Sequence, residues 1–203
     1  MKMLKSVAEQ KFFDNQFTST PGSNAINNIG VIGLISNVTQ GASKNQRIGD
    51  RICLSSLEIS FNAYWPGLDQ ADTAAILWTW RFIIFVWKDD TTPTLGDILE
   101  NGNFPTTSPF NHDAKVKRKI LYDKVFNQNM LILPDVAAAF QNGSFSRKII
   151  IPSKVWRKYS NIYFQSATNT AVNHLYFLAV SEESDNDRTW NVDWYTRITF
   201  VDL

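Results

Sequence analysis

The chain has 203 residues, of which 44% are hydrophobic and 19% charged, and its formal net charge is +1. This length suits one domain with a sizeable core, while the single cysteine, Cys53, excludes an intrachain disulfide framework. The charged share lies below the ~25% of typical soluble domains, yet the chain carries 7 Trp, 6 Tyr and 14 Phe. Low charge together with many large aromatic side chains indicates a surface that is partly buried against other subunits.

The N-terminal residues 1–35 are predicted to form an arm and lead-in, and residues 36–203 the folded domain. Residues 1–25 are mostly polar, and residues 26–38 are predicted to include a short first strand. No apolar run resembles a signal peptide or approaches the ~18 residues of a membrane span. We therefore expect a soluble protein that is made in the cytoplasm and does not insert into a membrane.

The clearest strand signal lies between residues 51 and 65. From Leu57 onward apolar residues alternate with polar ones, so one face covers a core and the other faces solvent. The strand follows a Gly49-Asp50 turn and ends before Pro66-Gly67. In residues 78–87 both faces are largely apolar, which is typical of a central strand or of one covered by a neighbouring subunit.

The other predicted elements are separated by long connections. Residues 94–100 are predicted as one or two helical turns capped by Thr94, and residues 134–140 as a second short helix. Alternating apolar residues predict further strands at 117–128, 145–151, 161–165, 173–181 and 192–200. Long connections favour a Greek-key or jelly-roll arrangement over an up-and-down barrel. The predicted fold is all-β, a single eight-stranded jelly-roll sandwich with long inter-strand loops and one or two short helices.

Charge is unevenly distributed along the chain. Residues 115–158 hold 10 basic and 2 acidic residues, a balance of +8, whereas residues 1–114 and 159–203 carry −3 and −4. Strands that share a face would turn this segment into a basic patch able to neutralise phosphates. A solvated polar face is the alternative interpretation.

No catalytic or metal-binding pattern is present in the sequence. The two histidines, His112 and His174, are far apart, and no nucleophile elbow, phosphate loop or dinucleotide fingerprint occurs. Carboxylate pairs fall in predicted exposed turns, where nothing raises a pKa. We expect no enzyme and no cofactor. Asp185-Asn186-Asp187 lacks the rest of a calcium loop, so a calcium ion shared between subunits is only an open alternative.

Three tryptophans, Trp87, Trp156 and Trp190, lie near predicted strand ends or in loops. They are candidates for subunit contacts, for a sugar-binding platform or for a base-stacking surface. Subunit contact is the favoured interpretation.

Several segments resemble capsid proteins of circular Rep-encoding single-stranded DNA viruses, the circovirus-like group. These segments are Gly41 to Ile52, the long strand that follows, Arg81 to Asp89, Lys119 to Phe126 and Trp194 to Val201. Together they span about residues 40 to 203. The resemblance implies a single jelly roll like that of satellite tobacco necrosis virus coat protein.

It also implies a function. Copies would tile a small icosahedral T=1 shell around circular single-stranded DNA. The protein of this virion would be made in the host cytoplasm, with the host nucleus as an open alternative for assembly. Such proteins usually begin with a long Arg-rich arm, whereas here only Lys2, Lys5 and Lys11 precede the predicted fold. Either the arm has been shortened or removed, or the basic middle segment binds the DNA instead. In the second case phosphates would be met without reading sequence, on the inner surface of the shell, by Lys115, Lys117, Arg118, Lys119, Arg147 and Lys148.

Two other functions fit a β-sandwich. A carbohydrate-binding module would stack sugar on Trp87, Trp156 or Trp190 and stay a monomer or dimer. A β-sandwich hydrolase would need carboxylates clustered in a cleft, whereas the acidic residues of this chain are dispersed over several turns.

Overall fold

A computed structural model describes residues 9–17, 26–64, 76–130, 144–152, 155, 161–165, 171–182 and 191–203. The described strands are β1 (Gln10–Phe17), β2 (Val31–Leu34), β3 (Arg51–Tyr64), β4 (Ile76–Trp87), β5 (Arg118–Met130), β6 (Ser144–Pro152), β7 (Asn161–Phe164), β8 (Ala171–Val172), β9 (His174–Ser181) and β10 (Asn191–Asp202). A single helical turn, α1 (Leu95–Ile98), and a 3-10 turn (Asp113–Val116) lie between β4 and β5.

The strands form two antiparallel sheets. One has the order β1-β10-β3 and continues with β6 and the β7-β8 pair, both beside β3, and the other has the order β2-β9-β4-β5. With β7 and β8 set aside, the first strand pairs with the last, the second with the next to last, and so on inward: β1 with β10, β2 with β9, β3 with β6 and β4 with β5. A long hairpin whose successive strand pairs alternate between two sheets is a jelly roll. The predicted fold is confirmed.

Two details differ from the prediction. The described residues contain nine strands of four residues or more, not eight, because β7 pairs with Arg51–Cys53 at the start of β3. Two strands, β1 and β2, come from residues 1–35, so the sandwich includes residues ahead of position 36. The second predicted helix, at residues 134–140, lies outside the described residues.

Strand β1 is attached by a buried ion pair. Lys11 Nζ lies 2.7 Å from Asp202 Oδ2 of β10 and donates a hydrogen bond to the Gln46 carbonyl at 3.2 Å. Lys11 therefore belongs to the fold and does not precede it.

The turn before β3 is fixed by a second buried cation. Arg47 is fully buried, its Nε donates to the Val38 carbonyl at 3.2 Å, and its guanidinium lies 4.1 Å from the ring centroid of Phe164 on β7. The turn and the added β7 strand are thereby tied to each other, because both contact the same side chain.

Aromatic rings fill the space between the sheets. Phe61 of β3 meets Trp80 of β4 edge to face, with centroids 5.4 Å apart. Trp194 of β10 stacks on Phe82 at 4.7 Å, and Phe126 of β5 stacks on Trp80 at 4.8 Å. Each such pair adds about 0.5–1.5 kcal/mol beyond its burial, so the alternating strands are joined by a continuous aromatic core.

The outer face of the four-stranded sheet carries a second apolar cluster. Ile83, Phe85 and Trp87 of β4 pack with residues of β9 and with Ile98 and Leu99 from the connection between β4 and β5. This connection, residues 88–117, is called the insertion below. The two apolar faces of β4 are thus both covered by the chain itself.

Candidate functional site

The six basic residues predicted to meet DNA do not share one face. Lys115 and Lys117 lie at the end of the insertion, Arg118 and Lys119 begin β5, and the last two, Arg147 and Lys148, lie on β6. Their surroundings divide them into three kinds: one is buried, two are exposed but held in ion pairs, and three are exposed with no ion pair to a described residue.

Arg118 is buried and holds the insertion in place. Its guanidinium donates to the Asp97 carbonyl at 3.0 Å and to the Asn111 carbonyl, and it lies 5.5 Å from the Phe110 ring centroid. Burial lowers the pKa of Arg118, while Asp97 opposes the shift. This corrects the prediction that Arg118 faces a phosphate, because the side chain is buried and two of its nitrogens already donate within the chain.

Lys117 and Lys148 are exposed but paired. Lys117 Nζ lies 2.6 Å from Asp89 Oδ2, and a hydrogen bond with that carboxylate raises the pKa of Lys117. Lys148 forms an ion pair with Glu58 on the neighbouring strand β3. A paired lysine adds little field at its surface, because the carboxylate cancels much of its charge.

Lys115, Lys119 and Arg147 are exposed, and no ion pair links any of them to another described residue. Lys119 is opposite Val86, and Arg147 is opposite Phe61. Directly opposite residues share a face, so Lys119 and Arg147 belong to the core-facing rows of β5 and β6. Among the described strands, both lie at the edge of their sheets, so these two cations lie at one open side of the described sandwich.

Lys124, which the sequence interpretation left out of the site, belongs to the same row. It is opposite Phe82 in the register, and its Nζ lies 5.3 Å from the Phe126 ring centroid. Tyr122 lies between Lys119 and Lys124 in this row. Burial raises the pKa of Tyr122, and the nearby charge of Arg147 on β6 opposes that rise. The open side therefore brings cations of β5 and β6 near one tyrosine.

Arg81 is a second residue that the sequence interpretation missed. Its Nε and Nη2 donate to both oxygens of Asp123 at 2.8 and 2.7 Å, and Nη1 donates to the Ser108 carbonyl at 2.6 Å. Its guanidinium lies 4.8 Å from the Phe110 ring centroid. The sequence did contain a signal for this role of Arg81. It is a single charged residue in a strand whose two faces are apolar, and a buried charge needs a partner.

The three tryptophans proposed as subunit contacts have different outcomes. Trp87 is only 1% exposed and packs in the outer cluster beneath the insertion. This corrects the prediction for Trp87, because its own chain already covers the ring. Trp156 and Trp190 lie outside the described residues.

Large apolar side chains are nevertheless exposed elsewhere. Ile150 of β6 and Tyr195 of β10 lie on the outer face of the six-stranded sheet, and Ile48 and Leu203 lie beside the turn before β3. Ile48 and Leu203 are 64% and 59% exposed. The backbone N–H of Ile48 donates to Asp202 Oδ1 at 3.2 Å, which places Ile48 next to the C-terminal end of β10.

In the described part of the chain, no three His, Cys, Asp or Glu side chains are arranged to hold a metal ion. The helical segments described in this structure are also too short to span a bilayer.

Comparisons with known proteins give fold-level likenesses only. No family model and no curated protein matches the chain. Among solved structures, a turnip yellow mosaic virus structure is 10% identical with a TM-score of 0.39, over 96% of this chain and 94% of that one. A desmodium yellow mottle tymovirus structure is 8% identical with a TM-score of 0.37, over 100% and 86%. A decameric BFDV capsid protein is 10% identical with a TM-score of 0.32, over 97% and 98%. Since these TM-scores lie below 0.5, the fold assignment rests on the strand order described above.

Proposed function

We propose that this chain is a viral coat protein whose copies assemble into an icosahedral T=1 shell around circular single-stranded DNA, in the manner of circovirus-like capsids. The observation that carries the proposal is the jelly-roll order of the two sheets, in a chain whose segments 41–52, 81–89 and 119–126 resemble that family. Jelly rolls also occur in lectins and cupins. The exposed apolar side chains favour a protein that associates with copies of itself.

Assembly is tested on the purified chain by size-exclusion chromatography and electron microscopy. The proposal predicts uniform hollow particles. A species that remains monomeric at high concentration, in low and high salt, would contradict it, and saturable glycan binding by such a monomer would favour the carbohydrate-binding alternative. An interfacial calcium ion also stays a prediction, and particles that dissociate in a chelator and reform in Ca²⁺ would support it.

We propose that DNA contact falls mainly on Lys115, Lys119 and Arg147, the exposed members of the predicted set for which no ion pair to a described residue is seen. Their charges are not cancelled by a described carboxylate, whereas Lys117 and Lys148 are paired. Contacts to phosphates by such cations are independent of sequence and weaken with salt.

A matched pair of triple variants tests this assignment. The K115Q/K119Q/R147Q variant should retain less nuclease-protected DNA than the K44Q/K117Q/K148Q variant, although each loses three positive charges. The measurement is the absorbance ratio of purified particles at low and moderate salt, with particle counts from microscopy on the same samples. Equal DNA retention by the two variants would rule out this choice of residues.

A further inference from the structure

At the open side of the sandwich, the backbone edges of β5 and β6 are able to pair with further strands. Among the described residues, β5 pairs only with β4 and β6 only with β3. These strands are 13 and 9 residues long. Each edge presents a row of N–H and C=O groups that the same strand of a second copy could extend.

Three cations lie in the core-facing rows of these two edges. Lys119 and Lys124 are opposite Val86 and Phe82, and Arg147 is opposite Phe61. All three partners are buried core residues, whereas the three cations are exposed. A core-facing position on an edge strand can hold a cation only while the side chain reaches water past that edge.

The edge of β5 is also irregular. The register passes from Ile84 opposite Tyr122 to Phe85 opposite Ile120, so Leu121 is an extra residue on β5. Such a bulge increases the local twist and interrupts the ladder that a flat incoming strand needs. Bulges and inward-pointing charges are two devices that limit edge-to-edge pairing in natural sheets.

An added strand would therefore meet an electrostatic penalty. It would close the path by which the three cations reach water and bury them beside the aromatic core. No carboxylate shares the core-facing rows of β5 and β6 within the described side chains. Asp123, the acidic residue of β5, is opposite Ile83 on the other face and accepts two of the hydrogen bonds that Arg81 donates.

We propose that the edges of β5 and β6 could pair with the same strands of a second copy of this chain, and that Lys119, Lys124, Arg147 and the bulge at Leu121 prevent this pairing. Copies of the chain then meet through their loops and outer faces, and neither sheet continues from one copy into the next. The inference goes beyond the coat-protein proposal, since it concerns an association that the chain prevents.

Replacing the three cations by β-branched residues tests the inference. The K119V/K124V/R147V variant should form open-ended polymers that grow with concentration and protect backbone amides of β5 and β6 from hydrogen exchange. The control K115V/K117V/K148V loses the same charge at positions outside the core-facing rows, and it should associate no more than the parent chain. A third variant, K119E/K124E/R147E, keeps charged side chains at the edge and should also form no polymers.

Three results would overturn the proposal: a Val triple variant that associates no more than the parent chain, a control that polymerises equally, or polymers without added protection in β5 and β6. If the triple variant fails to fold by circular dichroism, the single variants K124V and R147V carry the same test. If the parent chain forms no particles, the coat-protein proposal is contradicted. The comparison of the Val triple variant with its control still tests the strand-pairing proposal.

Discussion

At the scale of single residues, buried cations hold the connections against the sandwich. Arg81 joins β4 to Asp123 of β5 and to the insertion at Ser108, whereas Lys148 makes one exposed ion pair with Glu58. We expect Arg81→Met to lower the free energy of unfolding by about 2–3 kcal/mol, because it leaves a half-buried carboxylate and a buried carbonyl unpaired. Lys148→Met should cost less than about 1 kcal/mol. Urea unfolding measures both, and equal costs would refute the role of Arg81.

A glycine gives the second residue-scale prediction. A Cβ built at Gly33 of β2 would lie 2.2 Å from the Phe177 ring on the paired strand β9, whereas one at Gly102 would meet nothing nearer than 3.9 Å. Gly33→Ala should therefore destabilise the fold by about 1–3 kcal/mol, since the ring must move. Gly102→Ala should change stability little. Thermal unfolding checks both, and the Phe177→Leu change should recover part of the Gly33→Ala loss if the ring is the cause.

At the scale of elements, strand β1 depends on its pairing with β10. Asp14 accepts hydrogen bonds from Arg197 Nε and Nη2 at 2.6 and 2.7 Å, and Arg197 is the main cause that lowers the pKa of Asp14 below its ordinary value of 3.8. A lowered folded-state pKa gives stability that is present above about pH 4 and is lost as the pH falls through the folded value. Because Arg197 is half exposed, the loss should be small. Hydrogen exchange should show that the backbone amides of β1 are less protected at pH 3 than at pH 6 in the parent chain. If the Asp14→Asn variant shows the same loss of protection, the role of this ion pair is contradicted.

Elements also show what the sequence could and could not predict. Alternation predicts β3, β5 and β10 to within a few residues, because one buried face imposes a period of two. Strand β9 was predicted as closely from its apolar run, although both of its faces are buried. Thr94 is the N-cap residue of α1, as predicted, and its N–H and hydroxyl both donate to the Asp97 carboxylate, at 2.8 and 2.7 Å. The sequence could not predict what covers the second apolar face of β4. Cover by an insertion and cover by a neighbouring subunit both require apolar residues on that face. Bulges and ion pairs such as Arg81–Asp123 depend on register, which one strand does not reveal.

At the scale of the whole molecule, the surface of the sandwich has three kinds of region: covered, cationic and apolar. The insertion covers the outer face of the four-stranded sheet, cations close the β5–β6 side, and apolar side chains stay exposed at the turn before β3 and on the outer face of the six-stranded sheet. This distribution favours contacts between copies at those exposed positions. We expect the paired change I48D/L203D to weaken assembly of folded chains, with K44D, which makes the same charge change of −2 at an exposed basic position, as the control. Light scattering measures the assembled fraction, and unaltered assembly of I48D/L203D would exclude this surface.

The most direct test of self-assembly is the mass of the particle that the purified chain forms. A T=1 shell holds sixty copies, and with a chain of 23.2 kDa the protein shell has a mass of about 1.4 MDa. Sedimentation velocity over a range of concentrations, with microscopy of the same sample, should give one dominant closed species of that protein mass. A single 23.2 kDa species throughout, or open polymers without a limiting size, would contradict the account.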